Sequence, residues 1–172
     1  MMVEMARTTK LALALAAALS MAACAKNPNE GKDGLGGMGA GAGGVGVASP
    51  GSAQDFSQNV GDRVFFETDS TELTGAAQAT LDKQAAWLNQ YGRYAFTVEG
   101  HADERGTREY NFALGARRSE AVKNYLAARG VAAGRIRTTS FGKERPVAVC
   151  DDISCWSQNR RAVTVLSGGP SS

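Results

Sequence analysis

The sequence predicts an α/β fold of the α+β sandwich type, with one mixed four-stranded sheet and two long helices on one face of it. Two observations predict this fold. Short stretches of alternating apolar residues are separated by two long amphipathic segments, which gives the order βαβαββ. Each amphipathic segment follows a threonine, a favoured residue at the start of a helix. Residues 56–168 contain all of these elements and are numerous enough for one domain.

The order of elements follows from apolar periodicity and from residues that begin or end helices. The first helix should start after Thr74, and the second should start after Thr107 and end near Gly130. The first helix places a row of apolar residues on one face: Ala77, Leu81, Ala85 and Leu88. In chain order we predict a strand at 63–66, a loop at 67–74, a helix at 75–90, a strand at 94–99, a helix at 108–129, a strand at 136–141, a helical turn at 157–160 and a strand at 162–166.

The N-terminal region predicts export and lipid attachment. Arg7 and Lys10 precede an unbroken Leu/Ala run at 11–18, which is too short to span a membrane comfortably. Small residues then lead to Cys24, in a pattern that resembles the lipobox of bacterial lipoproteins, whose cysteine is acylated. An ordinary signal peptide with an incidental Cys24 is the alternative, and translation starts at either Met1 or Met5.

These features divide the 172 residues into four regions. We predict a lipoprotein signal peptide at 1–23, a lipidated N-terminus with a Gly/Ala-rich flexible linker at 24–55, the folded domain at 56–168 and a short tail at 169–172.

Charge and cysteine content exclude some classes of function. A net charge of +2 does not indicate a nucleic-acid-binding surface. Cys150 and Cys155 do not form a C-x-x-C pair, so no zinc site is predicted. In an exported protein these two cysteines favour a local disulfide over two free thiols.

One arginine lies on a helix face where an apolar residue is expected. At helical spacing, Arg118 shares its face with Leu114 and Val122. A buried guanidinium needs a carboxylate from its own protein or from a ligand. The loop at 100–106, just before this helix, contains Asp103 and can supply one.

Asp103 and Arg118 together have the charges that complement a zwitterion. A carboxylate binds an ammonium group, and a guanidinium binds a carboxylate with two parallel hydrogen bonds. The alternative is that the two residues simply form a structural salt bridge. A third interpretation takes Asp103 and Glu104 as the acid pair of a glycosidase, although adjacent loop residues tend to point apart.

Several ordered motifs then identify a family. The helix matches the signature N-x-x-L-[SG]-x-x-R-[AS]-x-x-V-x-x-x-L at Asn111, Leu114, Gly115, Arg118, Ser119, Val122 and Leu126. Together with the segments at 100–106, 142–147 and 156–163, this pattern resembles the OmpA-like peptidoglycan-binding family over residues 64–165.

The resemblance implies non-covalent binding of meso-diaminopimelate in the peptide stems of the cell wall. Asp103 would hold the ammonium of the ligand, and Arg118 its carboxylate. Asp69, Asn111 and Leu114 match further positions of the family pocket, as does Thr68, where an aromatic residue is common. No catalytic residue, cofactor or metal is implied. On this interpretation, alanine at Asp103 or Arg118 abolishes wall binding and leaves the fold intact.

The resemblance also implies a cellular role. The protein would be an outer-membrane lipoprotein, anchored by its lipid and facing the periplasm, that tethers the membrane to the wall. Ala25 after Cys24, where an aspartate would favour the inner membrane, agrees with this sorting. Implied partners are TolB and other proteins of the Tol system, which acts in cell division and envelope integrity. The competing hypotheses are a wall hydrolase that uses Asp103 and Glu104, and a protein-interaction module in which Asp103 and Arg118 are structural.

Overall fold

The computed structural model describes residues 48–167, and they contain a mixed sheet of four strands. The strands are β1 (Arg63–Phe65), β2 (Ala95–His101), β3 (Ile136–Gly142) and β4 (Arg161–Ser167), in the spatial order β1-β4-β2-β3. Strand β4 runs antiparallel to both of its neighbours, whereas β2 and β3 are parallel. This mixed four-stranded α+β architecture confirms the predicted fold class.

Both long helices begin where the threonines predicted. They are α2 (Gly75–Gln90) and α3 (Arg108–Ala128). The Thr74 hydroxyl accepts a hydrogen bond from the amide of Ala77, and the Thr107 hydroxyl accepts one from the amide of Tyr110. Each side chain thereby satisfies one of the amides that have no partner within the helix.

Two short helices differ from the prediction. The helix before the last strand, α4, spans Ile153–Asn159 and not 157–160, because the Asp152 side chain accepts from the Ser154 amide and so starts the helix earlier. A helical segment was not predicted before β1. It consists of α1 (Ala53–Asp55), capped by Ser52, and a π-helical turn at Phe56–Gly61.

The segment before the predicted domain start at 56 packs onto the domain. The Asp55 carboxylate accepts a hydrogen bond from the Trp87 indole at 2.9 Å, and the Gly51 carbonyl accepts one from the Tyr94 hydroxyl at 2.8 Å. Phe56 is fully buried beside Trp87. The last residues of the predicted linker are therefore part of the folded unit. The predicted signal peptide, Cys24 and the tail at 169–172 lie outside the described residues.

The core lies between the sheet and the two long helices. Helix α3 packs on β2 and β3, while α2 packs on β1 and on α3. The predicted apolar face of α2 is buried in full, and it joins side chains of the inner sheet face and of α3, including Val64, Phe66, Phe96, Val98, Val122 and Leu126.

A pair of glycines brings β2 and α3 unusually close at one end. A Cβ atom on Gly100 would lie 1.8 Å from the Gly115 carbonyl oxygen, and one on Gly115 would lie 2.5 Å from the Ser140 hydroxyl. No other residue fits at either position. The close contact places the loop after β2 directly against the start of α3.

A disulfide joins Cys150 and Cys155, whose Cα atoms are 5.7 Å apart, and so confirms the expectation of a bonded pair. It links the loop after β3 to α4. Across residues 48–167, no helix is both long and apolar enough to cross a membrane, and no three His, Cys, Asp or Glu side chains cluster as a metal site.

Candidate functional site

A pocket of about 210 Å³ opens between the loop after β1, the loop after β2 and the first turns of α3. Five of the six predicted ligand residues line it. The complete lining is Thr68, Asp69, Asp103, Arg105, Gly106, Tyr110, Asn111 and Leu114. Arg118, the sixth, is not part of the lining.

Asp103 provides the carboxylate of the pocket, and two arginines bind it. The residue is 7% exposed. Its Oδ2 atom lies 2.7 Å from Nη2 of Arg105 and 3.3 Å from Nη1 of Arg160. Within residues 48–167, no ion pair joins Asp103 to Arg118, so the alternative of a direct structural salt bridge between them is wrong.

Arg118 supports the pocket from beneath. Its side chain has no exposed surface and lies over the Phe66 ring. The guanidinium donates to the backbone carbonyls of Glu67 at 3.1 Å, Ser70 at 2.9 Å and His101 at 2.8 Å. Burial lowers the pKa of Arg118 to about 10, so it still carries its charge at neutral pH. One arginine thus fastens the loop after β1 to the end of β2.

This placement changes two expectations about Arg118. A buried guanidinium does not need a carboxylate, because three backbone carbonyls satisfy it here. Replacement by alanine would remove one donor from each of those carbonyls, of which the Glu67 carbonyl keeps the Ser70 amide, so the expectation that the fold tolerates Arg118→Ala conflicts with the structure. A direct contact between Arg118 and a ligand requires neighbouring atoms to move, and that role stays a prediction.

The opposite wall of the pocket contains Asp69 and Tyr110. Asp69 adopts a left-handed backbone conformation with a φ of 55°, and its carboxylate contacts Tyr110 in the first turn of α3. The Tyr110 hydroxyl donates a hydrogen bond to that carboxylate, and this bond raises the pKa of Tyr110. Asp69 lies where the sequence predicted, whereas Tyr110 was not foreseen.

The remaining predicted residues have different surroundings. Asn111 is buried, and its side-chain amide donates to the Arg105 carbonyl at 2.7 Å, which fixes the loop after β2. Leu114 is a buried apolar surface of the pocket, and Thr68 is exposed at its rim.

Besides Tyr110, three residues at the site were not identified from the sequence: Arg160, Arg105 and Trp156. Arg160 is buried, and its Nε donates to the Phe66 carbonyl. Arg105 covers Asp103. The Trp156 ring lies 4.2 Å from the Arg105 guanidinium carbon, and its indole donates to Glu104. The contacts of Arg160 with Phe66 and of Trp156 with Glu104 join residues more than 50 positions apart, so local sequence patterns do not indicate them.

The acid-base chemistry of the site does not match a glycosidase. Burial raises the pKa of Asp103, but hydrogen bonds from Arg105 and Arg160 outweigh burial and hold that pKa below its ordinary value. A general acid needs a raised pKa. Glu104 accepts a hydrogen bond from the Trp156 indole outside the pocket lining. Asp103 therefore lacks the raised pKa of a general acid, and Glu104 is not part of the same pocket lining.

The lowered pKa of Asp103 predicts a flat pH dependence of ligand binding. Its carboxylate stays ionised throughout the neutral and mildly acidic range, and an ammonium ligand is released only as the pH falls through the lowered pKa. We expect retention on purified cell walls, measured by co-sedimentation, to be constant between about pH 8 and about pH 5 and to decline only at more acidic pH. A marked decline between pH 8 and pH 5 would show that another group controls binding.

The domain that contains this pocket is similar to known proteins in both sequence and structure. Residues 65–160 match the OmpA family. The chain is 68% identical over 124 residues to the peptidoglycan-associated lipoprotein of Mesorhizobium japonicum, covering 72% of this chain and 74% of the relative. It is 69% identical over 124 residues to the protein of that name from Rhizobium meliloti, covering 72% and 70%. The crystal structure of the peptidoglycan-associated lipoprotein from Burkholderia pseudomallei has a TM-score of 0.63 at 37% identity, covering 66% of this chain and 98% of that one. The OmpA match includes every residue that lines the pocket.

Proposed function

The chain belongs to the OmpA family and, within it, to the peptidoglycan-associated lipoproteins, and we propose that it binds peptidoglycan non-covalently through meso-diaminopimelate. This diamino acid presents an ammonium and a carboxylate on one carbon at its free end. A site for it needs one anion and one region of positive potential, separated by the width of that group.

The observation that carries the proposal is an ionised carboxylate in a small pocket with a surplus of positive charge. Asp103 and Asp69 supply the negative charges that line the pocket. Arg105, Arg118 and Arg160 supply positive charge around Asp103. An ammonium group placed against Asp103 would therefore have its own carboxylate in a positive field.

The size and depth of the pocket also support binding of a terminal group. A volume of about 210 Å³ accommodates the end of one amino acid but not a sugar ring together with its peptide. The glycan strands would lie outside the pocket. Each contact is then weak by itself, and a protein anchored near many wall ligands gains from high effective concentration.

The proposed cellular role rests on the membership of the chain in the same family. Acylation at Cys24 would fix the N-terminus in the outer membrane, with the domain facing the periplasm. The linker would let the domain reach the wall, so that the protein tethers one layer to the other. TolB and other proteins of the Tol system are the proposed partners, in cell division and envelope integrity. The protein would have no catalytic activity in this role.

Co-sedimentation with purified sacculi tests this function. Full-length protein extracted in detergent should sediment with sacculi that contain meso-diaminopimelate. Sacculi with lysine at that position lack the second carboxylate, and we expect them to retain at least about tenfold less protein, because a hydrogen-bonded ion pair is lost.

The same experiment separates a binder from a hydrolase. Under the proposal, no soluble muropeptides appear in the supernatant, whatever the incubation time. Release of fragments by the purified protein would favour the enzyme, and equal retention on both wall types would contradict recognition of diaminopimelate.

A further inference from the structure

The carboxylate proposed to receive the ammonium of the ligand is already bound by a side chain of the same loop. Arg105 donates to Asp103 three times: from Nη2 to Oδ2 at 2.7 Å, from Nε to Oδ1 at 3.2 Å, and from its backbone amide to Oδ1 at 3.2 Å. Two of these bonds come from the guanidinium, which contacts both carboxylate oxygens. A ligand ammonium that binds Asp103 must therefore compete with this guanidinium for the same two oxygen atoms.

Arg105 and Arg160 bind the same carboxylate in different ways. Arg160 is buried and is fixed by a second hydrogen bond to the Phe66 carbonyl, so it belongs to the framework of the site. The Arg105 side chain is 41% exposed and lines the pocket itself. Only Arg105 is free to leave without opening the core.

The Arg105 guanidinium also has a contact next to the pocket that does not involve Asp103. Its guanidinium carbon lies 4.2 Å from the centre of the Trp156 ring, within the range of a cation–π contact. The indole is held by its hydrogen bond to Glu104, and α4 is held by the Cys150–Cys155 disulfide. A guanidinium that leaves Asp103 can therefore keep its contact with this ring.

We propose that Arg105 is a built-in competitor, which occupies the ammonium position on Asp103 and must leave that carboxylate, while it keeps its contact with Trp156, before the ligand binds. The proposal rests on the function proposed above, and it adds a control of affinity at the same site. The exchange replaces one charge-assisted pair by another, so the net affinity is reduced by the strength of the Arg105 contact. Partly exposed pairs of this kind are weak, and the reduction should be about three- to tenfold.

Isothermal titration calorimetry tests this inference. Full-length protein in detergent is titrated with a stem tripeptide that contains meso-diaminopimelate. Arg105→Ala should bind the tripeptide about three- to tenfold more tightly than the wild type. Arg108→Ala is the matched control. Arg108 is more exposed, pairs with Glu144 and is not part of the pocket lining, and its loss removes the same charge from the same region. We expect the control to bind as the wild type does.

The outcomes separate this inference from the proposed function. Unchanged or weaker binding by Arg105→Ala overturns the inference, and weaker binding would identify Arg105 as a ligand contact. Equal tightening by Arg108→Ala also overturns it, because the effect would then be one of net charge. If the wild type does not bind the tripeptide at all, the proposed function fails first. A thermal unfolding curve for each variant shows whether the domain is folded.

Discussion

Asp103→Asn is expected to abolish retention of the protein on sacculi that contain diaminopimelate. The substitution keeps the size of the side chain and removes only its charge. The ligand ammonium would then lose its counter-ion and would face the positive charge of Arg105 and Arg160 directly. Loss of one partner from such a buried pair costs about 2–5 kcal/mol, which corresponds to at least roughly a thirtyfold loss of affinity. Co-sedimentation with sacculi measures this loss of affinity as a smaller fraction of bound protein.

The control for this variant is Asp82→Asn, on the exposed surface of α2, where Asp82 pairs with Arg129. It should bind walls as the wild type does. Asp103→Asn itself should lower the midpoint of thermal unfolding, since Arg160 is left buried without its anion. A variant with a lower midpoint but full retention on walls would support the competing hypothesis of a purely structural Asp103.

Arg118→Met is expected to lower the stability of the domain more than Asp103→Asn does. Methionine fills much of the same volume but donates no hydrogen bond, so three backbone carbonyls beneath the pocket each lose one donor. The Glu67 carbonyl alone of these keeps the Ser70 amide as a loop donor. Release of the buried charge offsets part of this loss. We expect a net destabilisation of about 2–4 kcal/mol and a fall of the unfolding midpoint on the order of 10 °C, measured by calorimetry.

The neighbouring Arg117 provides a matched control, because its side chain is exposed on the same helix. Arg117→Met should change the free energy of unfolding by no more than about 0.5 kcal/mol, and the unfolding midpoint correspondingly little. Wall binding by Arg118→Met should be lost together with stability, since the loops that form the pocket depend on Arg118. A variant with unchanged stability and no binding would instead show that Arg118 contacts the ligand directly.

Features with a local cause were predictable from the sequence. Thr74 and Thr107 start their helices because a hydroxyl can accept from an amide three residues ahead, whatever the rest of the fold does. The buried face of α2 and the inward position of Arg118 follow from helical spacing alone. The lining of the pocket by Asp69, Asp103 and Asn111 agrees with the resemblance to the family, which already places those positions together.

Features with a distant cause were not predictable. Arg118 binds backbone carbonyls at positions 67, 70 and 101. Every residue has a backbone carbonyl, so the sequence does not indicate which ones serve as partners. Opposite charge alone suggested Arg118 as the partner of Asp103. Charge does not show which of several arginines is closest in the fold, and the actual partners are Arg105 and Arg160. The helical segment before β1 was missed because its stability comes from Trp87 and Tyr94, more than 30 residues away.

The central claim is that the Asp103 carboxylate receives the ammonium of diaminopimelate, and a crystal structure with a bound stem tripeptide tests it most directly. The account predicts the ammonium nitrogen at about 3 Å from an Asp103 oxygen, with the Arg105 guanidinium no longer bound to Asp103 but still in contact with Trp156. A tripeptide bound elsewhere, with Arg105 still on Asp103, would contradict it.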